Sequence, residues 1–155
     1  MKFTSPTIGT VSFEKMMEDI IKYVKEPHAG YRIIIGSDSQ VKQHTCFVTA
    51  VIVHRLGKGA KYYYRKWLDR PVRSLRQKIF FETSLSLEVG GMVTRYLAET
   101  DYDDLGVEIH IDVGKNGETK ELIREVVGMV TGSGFRAKIK PDAYGASSVA
   151  DKHSK

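Results

Sequence analysis

A chain of 155 residues, 41% hydrophobic and 28% charged, has the size and mixture of one ordinary globular domain. A lone cysteine, Cys46, excludes a disulfide framework and a cysteine metal site, and fits a reducing cytoplasm. No apolar run approaches the ~20 residues of a membrane span, and a net charge of +5 with a pI of about 9.2 suits a polyanionic partner such as nucleic acid.

The opening MKFTSPTIGT lacks the apolar middle of a signal peptide. SFEKMMEDIIKYVKE (12–26) predicts an amphipathic helix capped by Ser12, with Phe13, Met16, Met17, Ile20, Ile21 and Val24 at helical spacing. YRIIIGSD (31–38) predicts a strand dense enough in isoleucine to be central. TCFVTAVIVHR (45–55) predicts a second strand, with Cys46 as a small core residue, and KYYYRKW (61–67) a third. The two-glycine turn LGKGA joins them.

A long helix follows over 73–98, then the acidic loop TDYDDLG. VEIHIDVG (107–114) alternates strictly, setting Glu108, His110 and Asp112 opposite Val107, Ile109, Ile111 and Val113. NGETKELIREVVGMVTGSG holds another helix, FRAKIKP (135–141) a last strand, and DAYGASSVADKHSK a short closing helix. This order predicts an α/β fold: a mixed five-stranded sheet, with a three-strand antiparallel meander plus two parallel strands and helices on both faces. Residues 1–29 would be a helical extension to a core of 30–155, all within a single domain.

The first strand ends on Asp38, and Asp112 lies near the end of the fourth. If these strands are parallel neighbours, their carboxyl ends share the crevice where open α/β sheets bind ligands. Two carboxylates there repel each other unless a cation sits between them or one takes up a proton. At 100° per residue, the long helix gathers Leu75, Ile79, Leu85, Val89, Val93 and Leu97 on one side. Glu82 falls within that stripe, while Glu88, the alternative register, falls on the polar side. A glutamate on a buried stripe is costly unless it is paired or binds metal, and the plainer account of Glu82 is a structural salt bridge. At the chain's end, Asp142 and Asp151 flank the closing helix. Asp142 reads equally well as an N-cap, and Asp151 as a solvated terminal residue.

Asp38 in GSDSQ, Glu82 in FFETSLSLE, Asp112 in HIDVG and Asp151 in VADKHS, taken with the element order, resemble the ribonuclease H-like superfamily from about Tyr31 onward. IIIGSDSQ, RQKIFFETSLSLE, EIHIDVGKNGETKELI and KPDAYGASSVADKHS look like the bacterial YkuK family, described as ribonuclease H-like, over nearly the whole chain. The resemblance implies a metal-dependent nuclease in which Asp38, Glu82, Asp112 and Asp151 hold two Mg²⁺ or Mn²⁺ ions against a phosphodiester of RNA, DNA or a hybrid. Its alternative is a module that keeps the fold and binds nucleic acid or a partner without turnover. His153, two residues past Asp151, is a candidate for proton transfer, or else a plain terminal histidine. Two departures from the superfamily are the helix before the first strand and a last helix that stops almost as soon as Asp151 is reached.

A nuclease also needs a grip on the backbone. YYYRKWLDRPVRSLRQK (62–78) offers Arg65, Lys66, Arg70, Arg73, Arg76 and Lys78 among three tyrosines and Trp67. Cations bind phosphates and aromatics stack on bases, although an exposed strand and a solvated helix start would read the same. His110 is expected to be a satisfied sheet histidine, and Ser37 and Ser39 to bond only the turn. The basic hairpin edge could serve a dimer; the oligomeric state is left open.

Overall fold

Ile33, Ile34 and Ile35 are all buried, so the strand that carries them is covered on both faces. The computed structural model describes residues 1–24, 30–69, 71–114, 120–143, 149 and 153. Its elements are β1 (Lys2–Ser5), β2 (Gly9–Ser12), α1 (Phe13–Tyr23), β3 (Tyr31–Val41), β4 (Thr45–Arg55), β5 (Gly59–Asp69), α2 (Leu75–Ala98), β6 (Gly106–His110), α3 (Lys120–Gly132) and β7 (Arg136–Lys138). They form one sheet in the order β2-β1-β5-β4-β3-β6-β7. The isoleucine strand β3 lies antiparallel to β4 along its whole length and parallel to β6 from Arg32 to Gly36. Strand β7 adds parallel to β6.

The expected meander and parallel pair are therefore present, but the sheet has seven strands, not five. The two extra strands come from the start of the chain, which was expected to be helical up to the first strand. KFTS and GTVS pair as a hairpin whose tight turn places Gly9 at a φ of 73°, a region glycine enters without strain. Phe3, fully buried, anchors the hairpin, and Thr4 sits opposite Tyr64 on β5. Strand β5 is thus flanked by β4 and β1. The basic third strand is therefore partly covered, with β1 paired to it at Tyr64.

Alternation along the strands splits the core. Ile33, Ile35, Val51, Val53 and Tyr63 pack with α1, α2 and α3 in the main cluster. Ile34 and Ile52 pack on the opposite face with Tyr62 and Val149, and Val149 and His153 are both helical there. Ser12 caps α1 by accepting from the Lys15 N–H at 3.1 Å, and Ser74 caps α2 by accepting from the Gln77 N–H at 3.1 Å. Helix α2 presses closely on the sheet. A Cβ on Gly90 would lie 3.2 Å from both Ile109 Cδ1 and Phe135 Cζ. That close seat brings the first turns of α2 over the far end of β3.

Candidate active site

Strand β6 pairs with β3 only as far as Gly36, opposite His110. Beyond that point β3 runs on through Ser37, Asp38 and Ser39, and here α2 and the segment after β6 converge on it. Ser37 and Ser39 face α2. The Ser37 hydroxyl lies 2.7 Å from that of Ser86 and 2.9 Å from that of Thr49. The Ser39 hydroxyl donates to Glu82 Oε2 at 2.6 Å, and its backbone N–H donates to Asp38 Oδ1 at 2.8 Å. Both serines thus do more than bond the turn: Ser39 links the two carboxylates through one residue.

Glu82 is 4% exposed, whereas Glu88 is exposed to solvent, as the helical phase predicts. Asp38 is also buried. The cation between them is Lys78, whose Nζ lies 3.0 Å from Glu82 Oε2 and 3.7 Å from Asp38 Oδ1. Asp112 enters just past β6, with Lys140 Nζ at 2.7 Å from its Oδ1. Glu82 and Asp112 wall a space too tight to admit a water molecule, shared with Ser37, Thr83, Ser86 and His110. Lys78 thus bridges Asp38 and Glu82, Glu82 shares the tight space with Asp112, and Lys78 lies in this cluster instead of forming an exposed backbone grip.

The electrostatics follow from burial. Removal from water pushes Glu82 up to about 7, against the pull of Lys78 and the Ser39 hydroxyl, and Asp38 adds to the rise. Burial also opposes the charge on Lys78, yet Glu82, Asp38 and Asp112 outweigh it and raise that pKa above the usual lysine value. The donor set is all oxygen and suits a hard cation. As they stand, no three His, Cys, Asp or Glu side chains among the described residues are gathered tightly enough to cage a metal ion. The carboxylates fit a divalent ion in the chemistry of their donors, and ammonium groups from Lys78 and Lys140 lie on them.

The remaining expectations divide. Asp151 and Arg70 lie outside the described residues, as does most of the closing helix for which Asp142 was a possible cap. Asp142 itself sits in an exposed turn. The His153 ring stacks on Tyr64 at 3.9 Å, and its Nε2 lies 3.2 Å from the Tyr62 hydroxyl. His110 is buried and bonded to Glu108 Oε1 at 3.2 Å, and Arg32 reaches Glu108 Oε2 at 3.2 Å, which satisfies the histidine structurally.

The basic stretch is not one stripe. Tyr63 is buried, with its hydroxyl bonded to Asp19, and so offers no base a stacking face. Arg65 lies over Trp67 on the α2 side of the sheet, while Lys66 shares the other face with Tyr62 and Tyr64. Arg76 is held by Glu125 on α3 at 2.5 Å. Arg73 lines a cleft of about 570 Å³ with Asp69, Gln77, Phe47 and Phe81, which none of the three acids lines. Sequence reasoning missed Lys78 and Ser39 as members of the cluster. The spacing of Lys78 and Glu82, four residues apart on one helix, was the available signal.

Comparison with known proteins agrees with this architecture. A family model described as ribonuclease H-like matches residues 15–155. A protein of Bacillus subtilis (strain 168) named "Uncharacterized protein YkuK" is 40% identical over 158 residues, covering 94% of this chain and 92% of the relative. No solved structure matches the chain.

Proposed function

Since the chain belongs to the ribonuclease H-like family, we propose that it is a metal-dependent nuclease, a single domain hydrolysing phosphodiester bonds of RNA, DNA or a hybrid at the Asp38–Glu82–Asp112 crevice. What supports this function above all is the convergence of three acids from β3, α2 and the end of β6, one of them buried at the heart of an apolar helix face. Burying such a set costs stability, which the ammonium groups of Lys78 and Lys140 offset here and a divalent cation would offset in their place.

Asp38, Glu82 and Asp112 would hold Mg²⁺ or Mn²⁺, with Asp151 as the fourth ligand that the family resemblance implies. A pair of such ions supplies an activated water and steadies the leaving oxygen. The chain's own groups set the stage. Ser39 orients the Glu82 carboxylate through its 2.6 Å hydrogen bond, and the backbone N–H of the same residue orients Asp38. Arg73, at the neighbouring cleft, is placed to take a backbone phosphate. The lone buried cysteine suits a cytoplasmic setting.

The test is cleavage of labelled RNA, DNA and hybrid duplexes in Mn²⁺ or Mg²⁺ by wild type and Asp38→Asn. Wild-type cleavage, lowered by about 10²-fold or more in the variant, is the expected result. Equal cleavage by both proteins would sink the assignment. A second reading, a nucleic-acid-binding or partner-binding module without turnover, draws on Lys78 and Lys140 already lying on the acids. Salt-sensitive binding with no cleavage of any substrate would favour it.

A further inference from the structure

Lys78 is oddly placed for a residue that merely supports its helix. It lies in the first turns of α2, four residues after the Ser74 cap, where the helix macrodipole disfavours a cation. No acidic residue occupies that first turn to compensate. Lysine N-terminal to glutamate is also the poorer order for an i,i+4 pair. What holds the ammonium is therefore the pair of carboxylates, at 3.0 Å from Glu82 and 3.7 Å from Asp38.

We infer that Lys78 is the site's built-in counter-ion, seated where a divalent cation must go, so that metal loading requires its ammonium to leave. This rests on Asp38, Glu82 and Asp112 being a cation site. An ammonium and a divalent ion cannot both lie within a few ångströms of the same two carboxylate oxygens, because their mutual repulsion is strongest in a water-poor crevice. Lys78 has a way out. Its side chain is 25% exposed, so a change of rotamer carries the head to solvent while the stem stays along the helix. Lys140 differs. At 55% exposure its pair with Asp112 is a solvated one, which an incoming ion breaks at little cost. The arrangement keeps the acids together in the absence of metal and sets the ion concentration at which the site fills.

The experiment is Mn²⁺ binding by calorimetry to the full chain as wild type, Lys78→Met and Lys140→Met, with folding checked by circular dichroism. The expected result is affinity raised about tenfold or more in Lys78→Met and changed less than about threefold in Lys140→Met. Binding by the wild type with equal or weaker binding by Lys78→Met would overturn the role of Lys78 and leave the metal site standing. No binding by either folded protein would overturn the metal site, and the inference with it. Should Lys78→Met fail to fold, a Mg²⁺ titration of wild type carrying ¹³Cε-labelled lysine decides, with Lys78→Gln supplying the assignment. A Lys78 signal that moves in step with Mg²⁺ occupancy is expected. One that stays fixed at saturation overturns the proposal.

Discussion

Two part-buried acid–lysine clusters sit on this sheet, and they are built differently. Where α1 meets β5, Asp19 meets Lys61 Nζ at 2.7 Å and accepts the Tyr63 hydroxyl on the same oxygen. Burial pushes the Asp19 carboxyl up, but Lys61 and Tyr63 more than offset it and hold it below the usual range. Burial and Asp19 together push the Tyr63 phenol well above its usual value. One acid has one cation and one donor, so the set is complete. At the far end of β3, Asp38 and Glu82 share the ammonium of Lys78, and Glu82 rises to about 7. A matched set is finished structure; an acid-rich set still calls for a cation. On the proposed reading, the first set is a structural salt bridge and the second a cation site.

The sharpest way to break the comparison is to neutralise one acid at each end. Asp38→Asn is expected to lower metal-dependent cleavage by about 10²-fold or more while leaving stability unchanged or slightly higher, because it relieves repulsion with Glu82. Asp19→Asn is expected to retain cleavage but cost ~1–3 kcal/mol of stability, since Lys61 and the buried Tyr63 hydroxyl lose their ionised acceptor. Denaturant melts and cleavage assays on both variants check the crossing. If both lose stability alike and neither loses activity, the two clusters are the same kind of object.

The next effect is a pair of opposite pH slopes in metal-free buffer. Glu82 has a folded pKa of about 7, raised from 4.5, so the native state binds its proton more tightly than the unfolded chain does. Its contribution to stability is fully present below about 4.5 and is lost as pH rises through about 7, a change of ~1–3 kcal/mol once the opposing charge of Lys78 is allowed for. Asp19 runs the other way. Its folded pKa lies below 3.8, so it stabilises above that value and the gain disappears as pH falls through the lower folded pKa. Between pH 5 and 8, Glu82→Gln should flatten the fall in stability and Asp19→Asn should leave it. An unchanged slope in Glu82→Gln would mean that the rise in Glu82 is not felt by the fold.

Much of this was legible in the chain, for reasons that also mark the limits. The isoleucine run of β3, the alternation around Asp112 and the phase of Glu82 on α2 are periodic signals, and period reports which face a residue takes. The sheet's parallel β3–β6 pair followed from element order. The β1–β2 hairpin was not legible, because strands of four residues with one large buried side chain, Phe3, carry too little period to register. Nor was the destination of Lys78. Read along the chain it belongs to a basic run from Arg65 onward, but the helix turns it towards Glu82 and away from Arg76, which finds Glu125 instead. Sequence reports faces well and partners poorly, since partners are set by how separate elements are packed.

The smallest effect tests that last distinction among the basic residues. Arg73 and Arg76 are both exposed and three residues apart, and composition treats them as equivalent. Arg76 donates to both oxygens of Glu125, at 2.5 and 3.3 Å, and lies over the Phe80 ring, so its charge is already answered by a neighbour. Arg73 lines a cleft with Gln77, Phe47 and Phe81. Arg73→Ala should weaken binding of a labelled oligonucleotide severalfold and reduce the slope of log affinity against log salt by about 1. Arg76→Ala should weaken binding less than Arg73→Ala does, because Arg76 already gives its donors to Glu125 and the variant loses no phosphate contact. Fluorescence anisotropy over a salt series measures both. If Arg76→Ala weakens binding as much as Arg73→Ala does, nucleic acid takes Arg76 from Glu125, and the grip extends from the cleft across α2 onto α3.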